Sequence, residues 1–268
     1  MSQKVLIARG LVPALVLALA LGAGGCVPAQ QNEASASGYQ PKVGQAGRDV
    51  VWVPTPQALV DAMLDVAKVG PQDFVIDLGS GDGRTVITAA KRGANALGIE
   101  YNPDMVRLAR RNAQDAGVAA RARFEREDLF QTDLSRASVI TMFLLQSINI
   151  KLRPKLLELE PGTRIVSNSF TMGDWEADQT VTLDQATGCG AWCTALLWIV
   201  PARVEGRHET TQGELLLEQT YQMLGGTLRA EGRSIPVKGR VRGREVLLEA
   251  AGRELRGTVK NGRLALER

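Results

Sequence analysis

The sequence predicts an α/β fold: a mostly parallel sheet flanked by helices, followed by a small antiparallel β domain. Three observations carry that expectation. Between residues 49 and 202, short apolar runs alternate with helix-like stretches, the pattern of strands joined by crossover helices. One run, Phe74-Val75-Ile76-Asp77-Leu78, leads into glycines at alternate positions, Gly79, Gly81 and Gly83. It reads as a buried strand, a tight turn and a helix start. From residue 203 the texture changes to short segments separated by Gly-Arg, Asn-Gly and Glu-Gly turn signals, at the roughly 8–12-residue spacing of antiparallel hairpins.

Residues 1–26 stand outside that fold. Lys4 and Arg9 precede an apolar run over 11–21, and Gly22-Ala23-Gly24-Gly25-Cys26 follows, the layout of a secretory leader ending in small residues. Its end resembles a bacterial lipobox, which implies an acylated Cys26 at the start of a lipoprotein of the cell envelope, membrane-anchored and facing the periplasm. Ala23 departs from the leucine usual there, and an ordinary leader or a misplaced start are the alternatives. The apolar run is shorter than the about 20 residues a membrane helix needs. Residues 27–47, rich in Ala, Ser, Gln and Gly, read as a flexible tether.

The main domain is assigned to 48–202. Residues 50–56 are an extended lead-in, and 57–69 a helix with Pro56 in its first turn. The turn Val53-Pro54-Thr55-Pro56 is either a cover for a bound ligand or a rigid lead-in. Residues 74–78 form the first strand, 85–92 a helix and 94–100 a second strand ending in Glu100. Asn102 caps the next helix with Pro103 in its first position, and Gly117 ends it. Arg107, Arg110 and Arg111 on that helix read as a solvated face. A third strand over 121–125 leads to Glu127-Asp128-Leu129, and the apolar run 137–145 is a central parallel strand. A helix over 153–159 and a strand over 163–170 follow, then two strands over 180–183 and 194–200 that complete the sheet as an antiparallel edge pair. Residues 203–268 form the β domain, with Gly-(Thr/Arg)-(Leu/Val) recurring at Gly226, Gly239 and Gly257, which suggests repeated hairpins.

The glycine turn is a ligand cradle. Its backbone must reverse sharply, and a Cβ there would keep the chain from a ligand lying across it. The helix that follows aims N–H groups at the same place, which suits a ligand carboxylate. The spacing G-x-G-x-G differs from the dinucleotide fingerprint G-x-G-x-x-G, and Asp77, two residues before the first glycine, would repel a pyrophosphate. An acid at Asp77 instead suits an α-amino group, and Glu100 can accept hydrogen bonds from both ribose hydroxyls. Asp77 and Glu100 alone fit either cofactor class; a third acid, Asp128, placed to accept an adenine amino group, tips the balance toward S-adenosyl-L-methionine (SAM).

With Glu100 and Asp128 in register behind D-x-G-x-G-x-G, residues 49–202 resemble a class I SAM-dependent methyltransferase. The segments Val53-Pro54-Thr55-Pro56, Asp77 to Arg84, Pro161-Gly162-Thr163-Arg164-Ile165-Val166-Ser167 and Gly173-Asp174-Trp175 resemble bacterial relatives of the lysine methyltransferases of the ATP synthase c subunit and the adenine nucleotide carrier. The resemblance implies a Rossmann-like seven-stranded sheet and SAM held by Asp77, Gly79, Ser80, Gly81, Gly83, Glu100, Asn102, Asp128 and Leu129. It also implies N-methylation of a protein lysine or other amine by direct in-line transfer. Those relatives often carry a histidine after the position of Ser167, where this chain has Asn168.

Acceptor-side candidates are Gln146, Ser147 and Asn149, which follow the central strand at the ligand-binding edge of the sheet, with a helix cap by Ser147 as the competing reading. Trp175 either walls an amine channel with its indole face or packs in the core. Phe143-Leu144-Leu145 forms an apolar mouth. The composition argues against a nucleic-acid partner: net charge is only +3, aromatics are 4%, and no basic stripe is interleaved with aromatics. A metal is not expected, since His208 is the only histidine. Cys189 and Cys193 form either a disulfide or two buried thiols. Two rival functions stand beside methyl transfer: a non-catalytic envelope module with the same fold, and a nicotinamide oxidoreductase.

Overall fold

A computed structural model describes residues 38–184 and 189–267; the expected leader, Cys26 and the expected tether up to residue 37 lie outside the described residues. Among these, no helix is long and apolar enough to cross a membrane.

The first sheet has seven strands in the order β3-β2-β1-β4-β5-β7-β6. In chain order its elements are α1 (Gln57–Val66), β1 (Phe74–Leu78), α2 (Arg84–Lys91), β2 (Asn95–Glu100), α3 (Pro103–Asp115), β3 (Ala122–Arg126), β4 (Val139–Met142), α4 (Gln146–Leu156), β5 (Arg164–Asn168), β6 (Gln179–Thr182) and β7 (Thr194–Ile199). Strands β1 to β5 pair in parallel, and β7 runs antiparallel to both β5 and β6. The expected antiparallel edge pair is therefore present. Alternation along β1 sorts the core into two layers. Val75 packs with α1, α2 and α3, while Ile76 and Leu78 pack with Ile148, Leu152 and Leu156 of α4 on the other face.

Several elements differ from the sequence expectation. The central strand expected over 137–145 is confined to Val139–Met142. Helix α4 starts at Gln146, well before the expected 153, with Leu145 as its N-cap and Pro154 inside it. Pro154 has no N–H to donate to the carbonyl four residues back, so the helix carries one backbone bond fewer there. The tether also ends earlier than 47. Gly44 N–H bonds to Trp52 O at 2.9 Å, Trp52 N–H to Gln45 O at 2.9 Å and Gly47 N–H to Val50 O at 3.0 Å, so residues 44–52 form a hairpin-like strap across the carboxyl edge of the sheet.

The β domain is a meander of seven antiparallel strands, β8 (Gly206–Thr210), β9 (Gly213–Thr220), β10 (Met223–Ala230), β11 (Arg233–Arg242), β12 (Glu245–Ala250), β13 (Arg253–Lys260) and β14 (Arg263–Leu266). Thr220 and Met223 face each other across the Tyr221-Gln222 turn between β9 and β10. Positive φ at Glu231-Gly232, Ala251-Gly252 and Asn261-Gly262 marks two-residue turns whose twist matches that of the strands they join. The recurring glycines explain how the sheet coils. A Cβ at Gly226 would lie 2.0 Å from Leu216 O, and one at Gly239 2.1 Å from Leu247 O, so neighbouring strands approach there as only glycine permits. Tyr221 stacks on Trp175 with centroids 5.9 Å apart, and Gln222 donates to Glu176 O at 2.8 Å, joining this domain to the first.

Candidate active site

Strand order places the functional side chains in a row along the carboxyl edge. Asp128 follows β3, Glu100 ends β2 and Asp77 lies in β1, the first three strands of the order. Phe143 follows β4, Phe170 follows β5 and Trp192 precedes β7, the next three. All six line one cavity of ≈ 420 Å³. One half of the site is thus acidic and the other aromatic.

On the acidic half, Asp77 is 6% exposed and accepts a hydrogen bond from Thr141 Oγ1 at 2.6 Å. Burial pushes its carboxyl up to about 7; the Thr141 bond works the other way, and Asp82 and Glu100 add repulsion. Among the described residues no cationic side chain pairs with it, and a buried carboxylate without a cationic partner is costly. Glu100 accepts from Gly81 N–H at 3.0 Å and from Asn102 N–H at 2.9 Å, one bond to each oxygen. A carboxylate offers about four lone-pair positions, so both oxygens retain capacity for a diol. Asp128 accepts from Phe130 N–H at 2.9 Å and Arg48 Nη1 at 2.8 Å. The Phe130 bond and then the Arg48 guanidinium outweigh desolvation and hold its carboxyl below the usual range.

The cradle between them fits an elongated adenosyl ligand. Gly81 has φ +54°, and a Cβ on it would come 2.7 Å from Trp52 Nε1; Gly83 has φ +85°, and its Cβ would meet the Phe124 ring at 2.6 Å. Neither position admits a side chain, so bare backbone faces the cavity at Gly81 and lets α2 seat against β3 at Gly83. No side chain caps α2 at Gly83.

The other wall is the strap. Gln45 to Thr55 contribute to the lining, and Arg48 lies over the Tyr101 ring at 4.3 Å from its centroid. Arg84 donates to Thr55 O at 2.8 Å while paired with Asp82, which fixes the Val53-Pro54-Thr55-Pro56 turn against the cradle.

The expected site residues divide cleanly by position. Asp77, Gly79, Ser80, Gly81, Glu100, Asn102, Asp128 and Leu129 line the cavity, whereas Gly83 stands behind it against Phe124. Of the acceptor-side candidates, none lines it. Gln146 and Ser147 are exposed in the first turn of α4, and Ser147 makes no capping bond there. Trp175 is fully buried and packs against Trp198 and Tyr221, so the packing reading holds for it. Asn149 is fully buried and donates to Phe170 O at 3.0 Å and Ser167 Oγ at 3.3 Å; it holds the Phe170 turn in place from below. Phe143, Leu144 and Leu145, the expected apolar mouth, do line the cavity.

Sequence reasoning missed Arg48, Trp52, Thr141, Phe170 and Trp192. For Trp192 a signal existed: it sits inside the Cys-x-x-x-Cys segment, which the structure closes as a Cys189–Cys193 disulfide.

The ANTKMT methyltransferase domain family matches residues 77–179. A protein-lysine N-methyltransferase from Saccharolobus islandicus is 44% identical over 138 residues, spanning 50% of this chain and 86% of that protein. The mouse lysine N-methyltransferase of the ATP synthase c subunit is 40% identical over 107 residues, but the match covers only 43% of its length and 40% of this chain. Among solved structures, a Salinibacter ruber protein described as an RNA methyltransferase, in complex with S-adenosyl-L-homocysteine, is 49% identical. It covers 57% of this chain and 96% of its own, with a TM-score of 0.53.

Proposed function

Because the chain belongs to the family of SAM-dependent protein-lysine N-methyltransferases, we propose that it methylates a lysine side-chain amine of a protein, with Asp77, Glu100 and Asp128 holding the cofactor. The observation that carries this reading is the row of three acids over β1, β2 and β3 beside an aromatic wall over β4, β5 and β7. Asp77 would receive the cofactor's ammonium, Glu100 its ribose diol and Asp128 its adenine amine. Bound SAM would supply an electrophilic methyl group on a sulfonium.

The chain's own residues then have three things to do, which are to orient the acceptor amine, strip it of water and let its proton leave. Taking a lysine from its reference pKa near 10.4 to the neutral amine at pH 7 costs about 4–5 kcal/mol. The apolar surroundings of Phe143, Leu144 and Phe170 favour the neutral form by desolvation. No histidine lines the cavity; His208 lies in the β domain, hydrogen-bonded to Val204 O at 2.8 Å.

A second acceptor class is raised by the Salinibacter ruber protein's description as an RNA methyltransferase; the small net charge of +3 and aromatic content of 4% favour protein. The experiment is incubation of the protein with methyl-labelled SAM and separated protein and RNA fractions of cell envelope and cytoplasm, followed by mass spectrometry of the labelled material. Methyl-lysine in a polypeptide supports the reading, and label confined to RNA overturns it. We further propose that the protein works at the cell envelope, anchored through Cys26. The Cys189–Cys193 disulfide supports an oxidising compartment. Fractionation that left the protein wholly in the cytoplasm would contradict this.

A further inference from the structure

The aromatic half of the cavity has a construction of its own. Phe143 lies 6.0 Å from Phe170 and 6.0 Å from Trp192, centroid to centroid, so three rings from three separate strand ends form one wall. Phe143 and Phe170 are partly buried, but Trp192 is 46% exposed and forms the lip where the cavity meets solvent. Trp192 also has φ +59°, a conformation that non-glycine residues adopt only when their surroundings impose it.

The imposing structure is the five-residue ring closed by Cys189 and Cys193. Cys189 is 2% exposed and belongs to the core beneath the sheet. At the other end, Leu183 N–H bonds to Cys193 O at 2.9 Å and ties the ring to the base of β6. The ring is rooted at both cysteines, and Trp192 projects from its free side.

Resting on the methyltransferase reading above, we infer that Trp192 is a specificity-determining residue for the methyl acceptor, reading a cationic amine at the cavity mouth, and that the Cys189–Cys193 disulfide holds it there. An indole face attracts ammonium groups, and aromatic walls on several sides strengthen that attraction as water is excluded. An acceptor ammonium entering from solvent meets Trp192 first and then Phe143 and Phe170, whose rings line the way to the carboxyl end of β4. The residues that the ends of β4, β5 and β7 contribute to the cavity include no acid, so the aromatic rings are the recognition element there. The ring's chemistry also makes recognition redox-sensitive: reduction opens the tether that imposes the Trp192 conformation and leaves the acidic half untouched.

The test uses the full chain saturated with S-adenosylhomocysteine, with choline as a cation probe and 3,3-dimethylbutan-1-ol as its uncharged isostere, both titrated by NMR. The intact protein is expected to prefer choline by about fivefold. Trp192→Leu, the Cys189→Ser/Cys193→Ser double variant and reduction of the intact protein should each reduce that preference to near unity. Throughout, the S-adenosylhomocysteine Kd should stay within about twofold. An undiminished preference in Trp192→Leu, or none in the intact protein, overturns the inference. Loss of S-adenosylhomocysteine binding in Trp192→Leu would mark the residue as part of the fold and overturn it too. Failure of the intact protein to bind S-adenosylhomocysteine is a separate result that removes the cofactor reading beneath it.

Discussion

Asp73 and Asp77 bracket the same short strand yet sit in opposite electrostatic situations. Asp73, at the amino edge, accepts from Gly70 N–H at 2.9 Å and Ser138 Oγ at 2.7 Å and pairs with Arg164. Burial alone would raise its carboxyl, but those donors outweigh it and hold it below the usual range. Asp77, at the carboxyl edge, has Thr141 as its side-chain donor and is pushed up to about 7 by burial. One acid ties β1 to β4 and β5; the other lines the cavity. Asp73→Asn is therefore expected to cost about 2–3 kcal/mol of stability and leave S-adenosylhomocysteine affinity unchanged. Asp77→Asn should do the reverse. Denaturant titration beside calorimetric binding checks both, and a matching pattern in the two variants would contradict the division.

The raised Asp77 carboxyl has a signed consequence for stability. Its unfolded value is near 3.9, so between about pH 4 and pH 7 the ligand-free folded state binds the proton that the unfolded state releases. The stability of the ligand-free protein should accordingly fall as pH rises through that window, by on the order of 4 kcal/mol from this group. Asp77→Asn should remove that slope. For binding the sign reverses: a ligand ammonium needs the ionised acid, so affinity should rise from pH 5.5 to a plateau above about 7. Thr141→Val removes a donor to the ionised form and should move that midpoint upward. A pH-independent affinity in the unmodified protein would contradict the assignment.

Glu100→Ala and Asp128→Ala test the other two grips. Each is expected to weaken SAM binding by about tenfold or more, the loss that follows from removing a charge-assisted bond. Unchanged affinity in both, measured by calorimetry, would place the ligand elsewhere.

Gly83→Ala should destabilise the fold by about 2–4 kcal/mol, because the residue has positive φ and its new methyl would lie 2.6 Å from Phe124 and 2.9 Å from Ala109. Gly190→Ala is the internal control, with nothing within 4 Å of its Cβ, and should stay within about 0.5 kcal/mol of the parent. Thermal unfolding of the two variants reads the difference.

Asn149→Ala should lower methyl-acceptor turnover while sparing cofactor affinity. Its amide holds the Phe170 carbonyl at 3.0 Å, and without it the Phe170 turn loses its support from α4. A variant that keeps full turnover would show that the Phe170 turn holds itself.

The acidic half of the site was legible in the sequence because each acid sits within or shortly after a strand-like segment, Asp77 in 74–78, Glu100 at the end of 94–100 and Asp128 just past 121–125, so its place near a strand end follows from local pattern. Asp77, Glu100 and Asp128 needed no knowledge of which strands are neighbours. The aromatic half was not legible for the opposite reason. Phe143, Phe170 and Trp192 are 27 and 22 residues apart, and they meet only because β4, β5 and β7 are adjacent in the sheet. Trp175 drew the attention that belonged to Trp192, since an aspartate beside a tryptophan in a loop looks like a site, and its burial against Tyr221 depends on a second domain. Gln146 and Ser147 misled because α4 starts at Gln146 itself, which turns both side chains to solvent. In the β domain, Gly226 and Gly239 were readable as a repeat, but their role in strand approach required the register.

Titration calorimetry of the full chain with S-adenosylhomocysteine at pH 7.5, in the parent and in Asp77→Ala, tests the central claim most directly. Micromolar or tighter binding in the parent, weakened at least about tenfold in Asp77→Ala, is the result expected. Equal affinity in the two proteins, or no binding in either, would contradict it.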